Sequence, residues 1–421
     1  MKLVWLVNTI LPQIARARKE SFDVVGGWTV QLADILSKRE DIELTVFYPQ
    51  HRSLETIYGK TDNFSYVGFY ERPSPELSYN KDIEDNFRHA LSQIDPDIVH
   101  VWGSEFVHTL CMVNAYEKPE RTVISIQGMI SECAKVYCEG VPEAIVNRYT
   151  FRDFLRRDSI ADQQKKYEKR GIFEKEALRK VKHIIGRTEW DKEVSLGINP
   201  KASYHYCREL LREPFYKAGQ WEYKNCEKHT LFMTQSYYPI KGIHLVVDAI
   251  KELKSEYPDL VLHVTGENMI PHGLKGRLKI NSYQKYVCDL IKKNGLEEQV
   301  VFTGVLGPEE MIGQYLKANV FLLPSLIENS PNSLGEAMLL GVPCVASRVG
   351  GVPSMLNDGK EGYLYAWNNA GWLIKTIKSI FDMREGAGII SKNARERAVE
   401  QYNIETGVNE YMKAYQSMCE G

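Results

Sequence analysis

Short apolar runs alternate with longer amphipathic stretches along most of this chain. The runs at 2–7, 42–47, 98–102, 123–126 and 183–186 are strand-length and apolar or β-branched, and they predict buried strands. A second series follows at 230–234, 260–265, 300–304, 320–323 and 344–346. Helical patterns lie between them, at 28–37, 243–253, 334–340, 371–381 and 391–402, with a last one at about 405–418. Gly341-Val342-Pro343 stops the helix at 334–340. Strands alternating with helices predict parallel α/β sheets, whose ligands sit at the C-terminal ends of the strands. The polar, aromatic stretch 216–229 separates the two series as a linker. The expected domains are therefore 1–215 and 230–400, with 401–421 as a terminal helical segment.

Composition changes this picture little. A length of 421 residues suits two domains, and 43% apolar residues suffice for sizeable cores. With 53 basic against 55 acidic residues, there is no global pull towards nucleic acid. The eight cysteines are scattered without a C-x-x-C pair, and Cys133 and Cys138 lack a nearby histidine. Reduced thiols in a cytoplasmic protein are the expectation. The apolar start, 1–11, is too short to span a bilayer and lacks a small-residue cleavage site, so it reads as the first strand. One charge run stands out. Residues 147–182 are helical in composition and hold twelve basic against six acidic residues, with Tyr149, Phe151, Phe154 and Leu155 interspersed. Such a stretch is either a solvated helical face or a contact for an anionic membrane or acceptor, at the inner face of the membrane.

Candidate chemistry concentrates between residues 320 and 365. Glu328 and Glu336 lie eight apart across a loop and the start of a helix near Pro331. A helix N-terminus offers free N–H groups to an anion, and carboxylates accept hydrogen bonds from sugar hydroxyls. A phosphate on the amides beside two such acids describes a nucleotide sugar. The plainer alternative is two acids capping one helix, worth about 0.3–1 kcal/mol each. Earlier, Gly26 and Gly27 open a helix after the first strand, where backbone can approach a phosphate or simply turn.

The stretch resembles the E-x7-E region of retaining glycosyltransferase family 4, enzymes of GT-B fold with two Rossmann-like doubly wound domains, a cleft between them and a C-terminal helix crossing back. The resemblance runs through Glu336-Ala337-Met338, Gly341-Val342-Pro343, Gly350-Gly351-Val352-Pro353, Asp358-Gly359 and Gly362. It covers the second domain well and the first at scattered points. It implies that Glu328 holds donor-sugar hydroxyls, Glu336 the nucleotide ribose and Lys241, in Lys241-Gly242, the donor diphosphate. Gly304 would line the nucleotide-base pocket, and Gly26-Gly27 would face the cleft. Three departures matter. Ser330-Pro331 replaces an aromatic–glycine pair, so an amide cradle must come from Asn332 and Ser333, because proline has no N–H. Ser236 stands where the family has an arginine, and serine cannot offset phosphate charge. Gln127-Gly128 replaces a common His-Gly; glutamine can hydrogen-bond a hydroxyl but cannot titrate. Arg187, at the end of the strand 183–186, lies either near the cleft or in a structural ion pair. Asp95-Pro96-Asp97 mimics the metal-binding D-x-D of another glycosyltransferase class, but a Pro-Asp before this strand is structural in GT-B chains.

The resemblance implies transfer of a sugar with retention from a nucleotide diphosphate sugar, a UDP-sugar first and a GDP-sugar second. The acceptor would be a glycan or lipid-linked species in bacterial surface polysaccharide synthesis, and no metal or cofactor is required. The alternatives are a nucleotide-sugar epimerase of the same fold and a binding-only relative.

Overall fold

The computed structural model describes residues 1–20, 27–72, 77–271 and 273–420. Gly26 lies outside them. The chain divides into two compact units: 1–132 with 167–212 and 402–421, and 133–166 with 213–401.

The first unit is built on an eight-stranded sheet in the order β3-β4-β2-β1-β5-β6-β7-β8. Its strands are β1 Lys2–Leu6, β2 Glu43–Gln50, β3 Ile57–Lys60, β4 Ser65–Tyr70, β5 Ile98–Trp102, β6 Thr122–Ser125, β7 His183–Gly186 and β8 Ser203–Tyr206. All neighbours pair in parallel except β3 with β4. β5 is buried on both faces, as its mainly apolar run around His100 requires. The helix Ile404–Glu420 belongs to this unit. Its Tyr411, Tyr415 and Met418 share a core with Leu3, Trp5 and Leu32. At its centre Trp5 Nε1 donates to the Tyr415 hydroxyl at 3.2 Å, which lies 2.6 Å from His100 Nδ1. Burial holds the His100 pKa well below the ordinary value, so the ring is neutral; its Nε2 lies 2.6 Å from Ser125 Oγ, and one ring nitrogen donates while the other accepts.

The second unit is a six-stranded parallel sheet in the order β11-β10-β9-β12-β13-β14. The strands are β9 Thr230–Thr234, β10 Val261–Thr265, β11 Val300–Gly304, β12 Val320–Leu323, β13 Cys344–Ser347 and β14 Tyr363–Tyr365. This is the doubly wound order, which reverses direction between β9 and β12 and opens a ligand crevice at their C-terminal ends. The expected linker holds a helix, Glu213–Lys217, and a 3-10 turn, Tyr223–Asn225. Between them Trp221 is buried and donates to Ala318 O at 2.7 Å, so this stretch is part of the second unit.

The basic stretch 147–182, helical in composition, forms two helices, Phe151–Arg156 and Ile160–Lys180. Thr150 and Asp153 form a capping box that starts the first, and Arg157 ends it in the left-handed region with φ 49°. The first lies wholly in the second unit, while the division between the units falls within the second helix, after residue 166. The sequence reading placed 133–166 in the first domain; this segment instead packs with the second. Asp153, fully buried, accepts from Ser282 N at 2.8 Å, and Arg148 lies 3.5 Å from Asp289.

Candidate active site

Three loops at the C-terminal ends of β9, β12 and β13 meet in the second unit. After β9 the chain runs through a 3-10 turn, Pro239–Lys241, into the helix Ile243–Glu256. Leu326 N donates to Ile240 O at 2.8 Å, tying this loop to the one after β12. Gly242 stands between them at φ 75°, and a Cβ there would lie 2.0 Å from Pro324 O, so only glycine allows this approach.

Lys241 and Glu328 are brought together: Nζ lies 2.6 Å from Glu328 Oε1. Ser325 Oγ donates to the same oxygen at 2.7 Å. The Glu328 backbone is held from a third side, where its carbonyl accepts from Gly351 N at 2.9 Å. Sequence reasoning passed over Ser325; its signal is a hydroxyl residue three positions before Glu328.

The helix Asn332–Leu340 begins after this loop, with Pro331 as N-cap, one position outside the expected first turn. Its first intrahelical bonds start at Leu334 N and Gly335 N, both donating to Pro331 O. The N–H groups of Asn332 and Ser333 precede them, where an anion is favoured. The Asn332 side-chain oxygen is buried without a hydrogen-bond partner. Glu336 is buried within this helix, 3% exposed. At the other side of the sheet edge Gly304, φ 82°, accepts from Thr265 Oγ1 at 2.8 Å and Gly266 N at 3.0 Å.

Ser236 is not brought to the Lys241–Glu328 pair. It is buried, and its hydroxyl donates to Met269 Sδ at 3.1 Å. This bond is with an apolar side chain of the same unit. Of the glycine pair, Gly27 starts the helix Gly27–Leu36.

In the first unit Gln127 and Arg187 are brought together, with Arg187 Nη2 donating to Gln127 Oε1 at 3.1 Å. Arg187 also lies 3.2 Å from Glu209, and both side chains are nearly inaccessible. Arg187 is thus part of a buried ion pair. A cluster that sequence reasoning missed sits at the C-terminal ends of β1, β5 and β6. Gly128 N donates to Glu105 Oε1 at 2.9 Å, while Asn8 Nδ2 donates to Trp102 O at 3.1 Å and Asn8 Oδ1 lies 2.9 Å from His108. Burial pushes the Glu105 carboxyl up to about 7. Nothing in the spacing of these residues announces them, because three separate strand ends contribute.

Two doubly wound units with a terminal helix returned to the first are the architecture of GT-B glycosyltransferases. Residues 221–397 match the model of the family Glycosyl transferases group 1. The chain is 29% identical over 162 residues to UDP-Gal:alpha-D-GlcNAc-diphosphoundecaprenol alpha-1,3-galactosyltransferase of Escherichia coli, covering 38% of each. Matched stretches span less than half the length of the curated relatives. Among solved structures, sucrose-phosphate synthase from Thermosynechococcus elongatus superposes with TM-score 0.73 at 16% identity, over 99% of both chains. Anabaena HepE in complex with UDP and glucose superposes with TM-score 0.66 at 15% identity, over 99% of this chain and 100% of that one. At such identities these structures bear on the fold.

Proposed function

We propose that this chain is a retaining glycosyltransferase. It would move a sugar from a nucleotide diphosphate sugar, UDP-linked in preference to GDP-linked, to a glycan or lipid-linked acceptor in bacterial surface polysaccharide synthesis. The observation that carries the reading is the Lys241–Glu328 pair beside the N-terminus of Asn332–Leu340, at the converging ends of β9, β12 and β13. A cation and helix N–H groups at one point suit a diphosphate, and a fixed carboxylate next to them suits sugar hydroxyls. The named substrates of the Escherichia coli relative and the UDP bound to HepE support a UDP-sugar.

In this reading the bond from the anomeric carbon to the β-phosphate oxygen breaks, and the acceptor oxygen bonds to that carbon on the same face. The acceptor proton passes to the departing phosphate. Lys241 and the Asn332 and Ser333 N–H groups stabilise the charge growing on the leaving group, the main contribution to rate. Glu328 orients the sugar, and Glu336 holds the ribose. An epimerase needs an acid–base pair at the sugar, which Gln127 does not supply. Peripheral location in the cytoplasm accompanies this reading.

The test has two parts. Mass spectrometry of products from a panel of UDP- and GDP-sugars, with and without EDTA, should show sugar transfer that survives chelation. Calorimetry should show Glu336→Gln binding UDP more weakly by about 1.5–3 kcal/mol, the range for hydrogen bonds to a charged group. Full affinity in the folded variant removes Glu336 from the donor site.

A further inference from the structure

An exposed apolar patch with unpaired basic residues beside it lies on the second unit, apart from the strand-end loops. Two short helices in mutual contact build it, Phe151–Arg156 and Gly273–Lys279. Phe151, Phe154 and Leu155 occupy positions i, i+3 and i+4, one face of a helix, and are 65%, 75% and 65% exposed. Tyr149 precedes them and is half-exposed, and Leu278 on the second helix is exposed as well. The opposite side of the first helix is fixed. Buried Asp153 accepts from Thr150 N at 3.1 Å and from Ser282 N at 2.8 Å, and Arg152 pairs with Asp158 at 2.7 Å. The protein therefore holds three large apolar side chains outward on an anchored turn. Single exposed apolar residues are ordinary, but a contiguous cluster marks an interaction surface.

Unpaired cations stand at the ends of both helices, while the nearby acids are engaged, Asp158 by Arg152 and Lys166 and Asp162 by the Tyr149 hydroxyl at 3.1 Å. Arg156 and Arg157 are exposed at the end of the first helix, and Lys279 is exposed at the end of the second. Among the described residues none of the three has an ion-pair partner. The only acid in the two helices is Asp153, which is buried. Exposed apolar side chains with unpaired cations beside them match the boundary between headgroups and acyl chains in an anionic bilayer. We propose that this patch docks the protein onto an anionic lipid surface. Among the described residues no helix is long and apolar enough to cross a membrane, so the contact is a surface one. The long helix Ile160–Lys180, part of the same basic stretch in sequence, does not share the role. Its Arg170 donates to Glu105 O at 2.8 Å, and its Lys180 pairs with Glu176 at 3.0 Å.

The proposal stands apart from the transferase reading, because its readout is binding. The full chain is floated with phosphatidylcholine vesicles, with and without phosphatidylserine. Preference for the anionic vesicles, weakened by salt, is expected. Arg156→Glu with Arg157→Glu should lower partition roughly 20-fold or more, from attraction of about a factor of five per basic residue. Phe151→Ser/Phe154→Ser/Leu155→Ser should abolish it, and Phe154→Ser alone should weaken it with an unchanged melting curve. Lys169→Glu with Arg179→Glu, exposed on Ile160–Lys180, should leave it intact. Equal partition to both vesicle types overturns the proposal, as does a loss in the Lys169/Arg179 variant matching that in the patch variants. A shift from dimer to monomer in the apolar variant, without vesicle binding by the parent, would assign the patch to a second copy of this chain instead.

Discussion

Lys241 Nζ stands 2.6 Å from Glu328 Oε1, and Ser325 Oγ donates to that same oxygen at 2.7 Å. The residue expected on the diphosphate and the residue expected on the sugar are thus parts of one constellation. Among the described residues Lys241 is the cation bonded to Glu328 in this constellation. Lys241→Ala should lower turnover by about 10²-fold or more, by analogy with loss of one preorganised donor. Its effect on stability should be modest, since both side chains retain solvent contact. Steady-state kinetics alongside urea unfolding check this; near-normal turnover would remove the phosphate role from the whole 236–242 loop.

Arg187 should behave differently. Its guanidinium and the Glu209 carboxylate are 4% and 2% exposed, so Arg187→Met leaves a buried carboxylate without its partner. Breaking such a pair costs about 3–5 kcal/mol. Urea unfolding should show this loss, and Arg187→Met with Glu209→Leu should recover much of it. A stable Arg187→Met protein with collapsed turnover would instead return Arg187 to the chemistry.

Gly350 supplies a third test. It lies at φ 49°, and a Cβ there would come within 2.0 Å of Glu328 O. Gly350→Ala must push the Glu328 loop away, so it should weaken UDP binding and cost more than about 1 kcal/mol of stability. Gly313→Ala is the matched control, because nothing lies within 4 Å of its added methyl and alanine suits the helix Pro308–Lys317. It should be neutral or stabilising in the same melts. Equal effects from the two substitutions would mean that the Glu328 contact is not the cause.

The parallel strands were legible as short, mainly apolar runs, continuous where both faces are buried, as at Val320–Leu323. Ile98–Trp102, His183–Gly186, Thr230–Thr234, Val300–Gly304 and Val320–Leu323 fall at their expected bounds. The Glu328 loop was legible because one run of sequence supplies strand, loop and helix together. Other features depend on pairings distant in sequence. Ile57–Lys60 pairs antiparallel with Ser65–Tyr70 at the sheet edge, without a long apolar run of its own. Residues 133–166 join the second unit through Asp153 and Arg148, whose partners lie more than a hundred residues away. The bond from Ser236 to Met269 likewise joins residues distant in sequence.

His244 offers the last prediction, on pH. It opens the helix Ile243–Glu256 and is 5% exposed. Nε2 lies 3.3 Å from Glu139 O, which can only accept, so Nε2 carries the proton. Nδ1, 3.0 Å from the Tyr283 hydroxyl, therefore accepts from it. Protonating Nδ1 would set a donor against a donor unless Tyr283 turned. Burial lowers the His244 pKa from 6.5 to about 4. A depressed histidine pKa means that the unfolded chain takes up the proton first as pH falls. The contribution of neutral His244 is full above about pH 6.5 and is lost as pH falls towards 4, by up to about 1.4 kcal/mol per pH unit. His244→Gln cannot titrate yet can bond one of the two partners. Urea unfolding of parent and variant between about pH 7 and pH 4.5 should therefore show the parent losing about 2 kcal/mol more than the variant. Taking the difference cancels the other titrating groups, Glu105 included. Parallel curves for the two proteins would show that His244 binds its proton equally well in the folded and unfolded chain, against the burial and the bonds described for it.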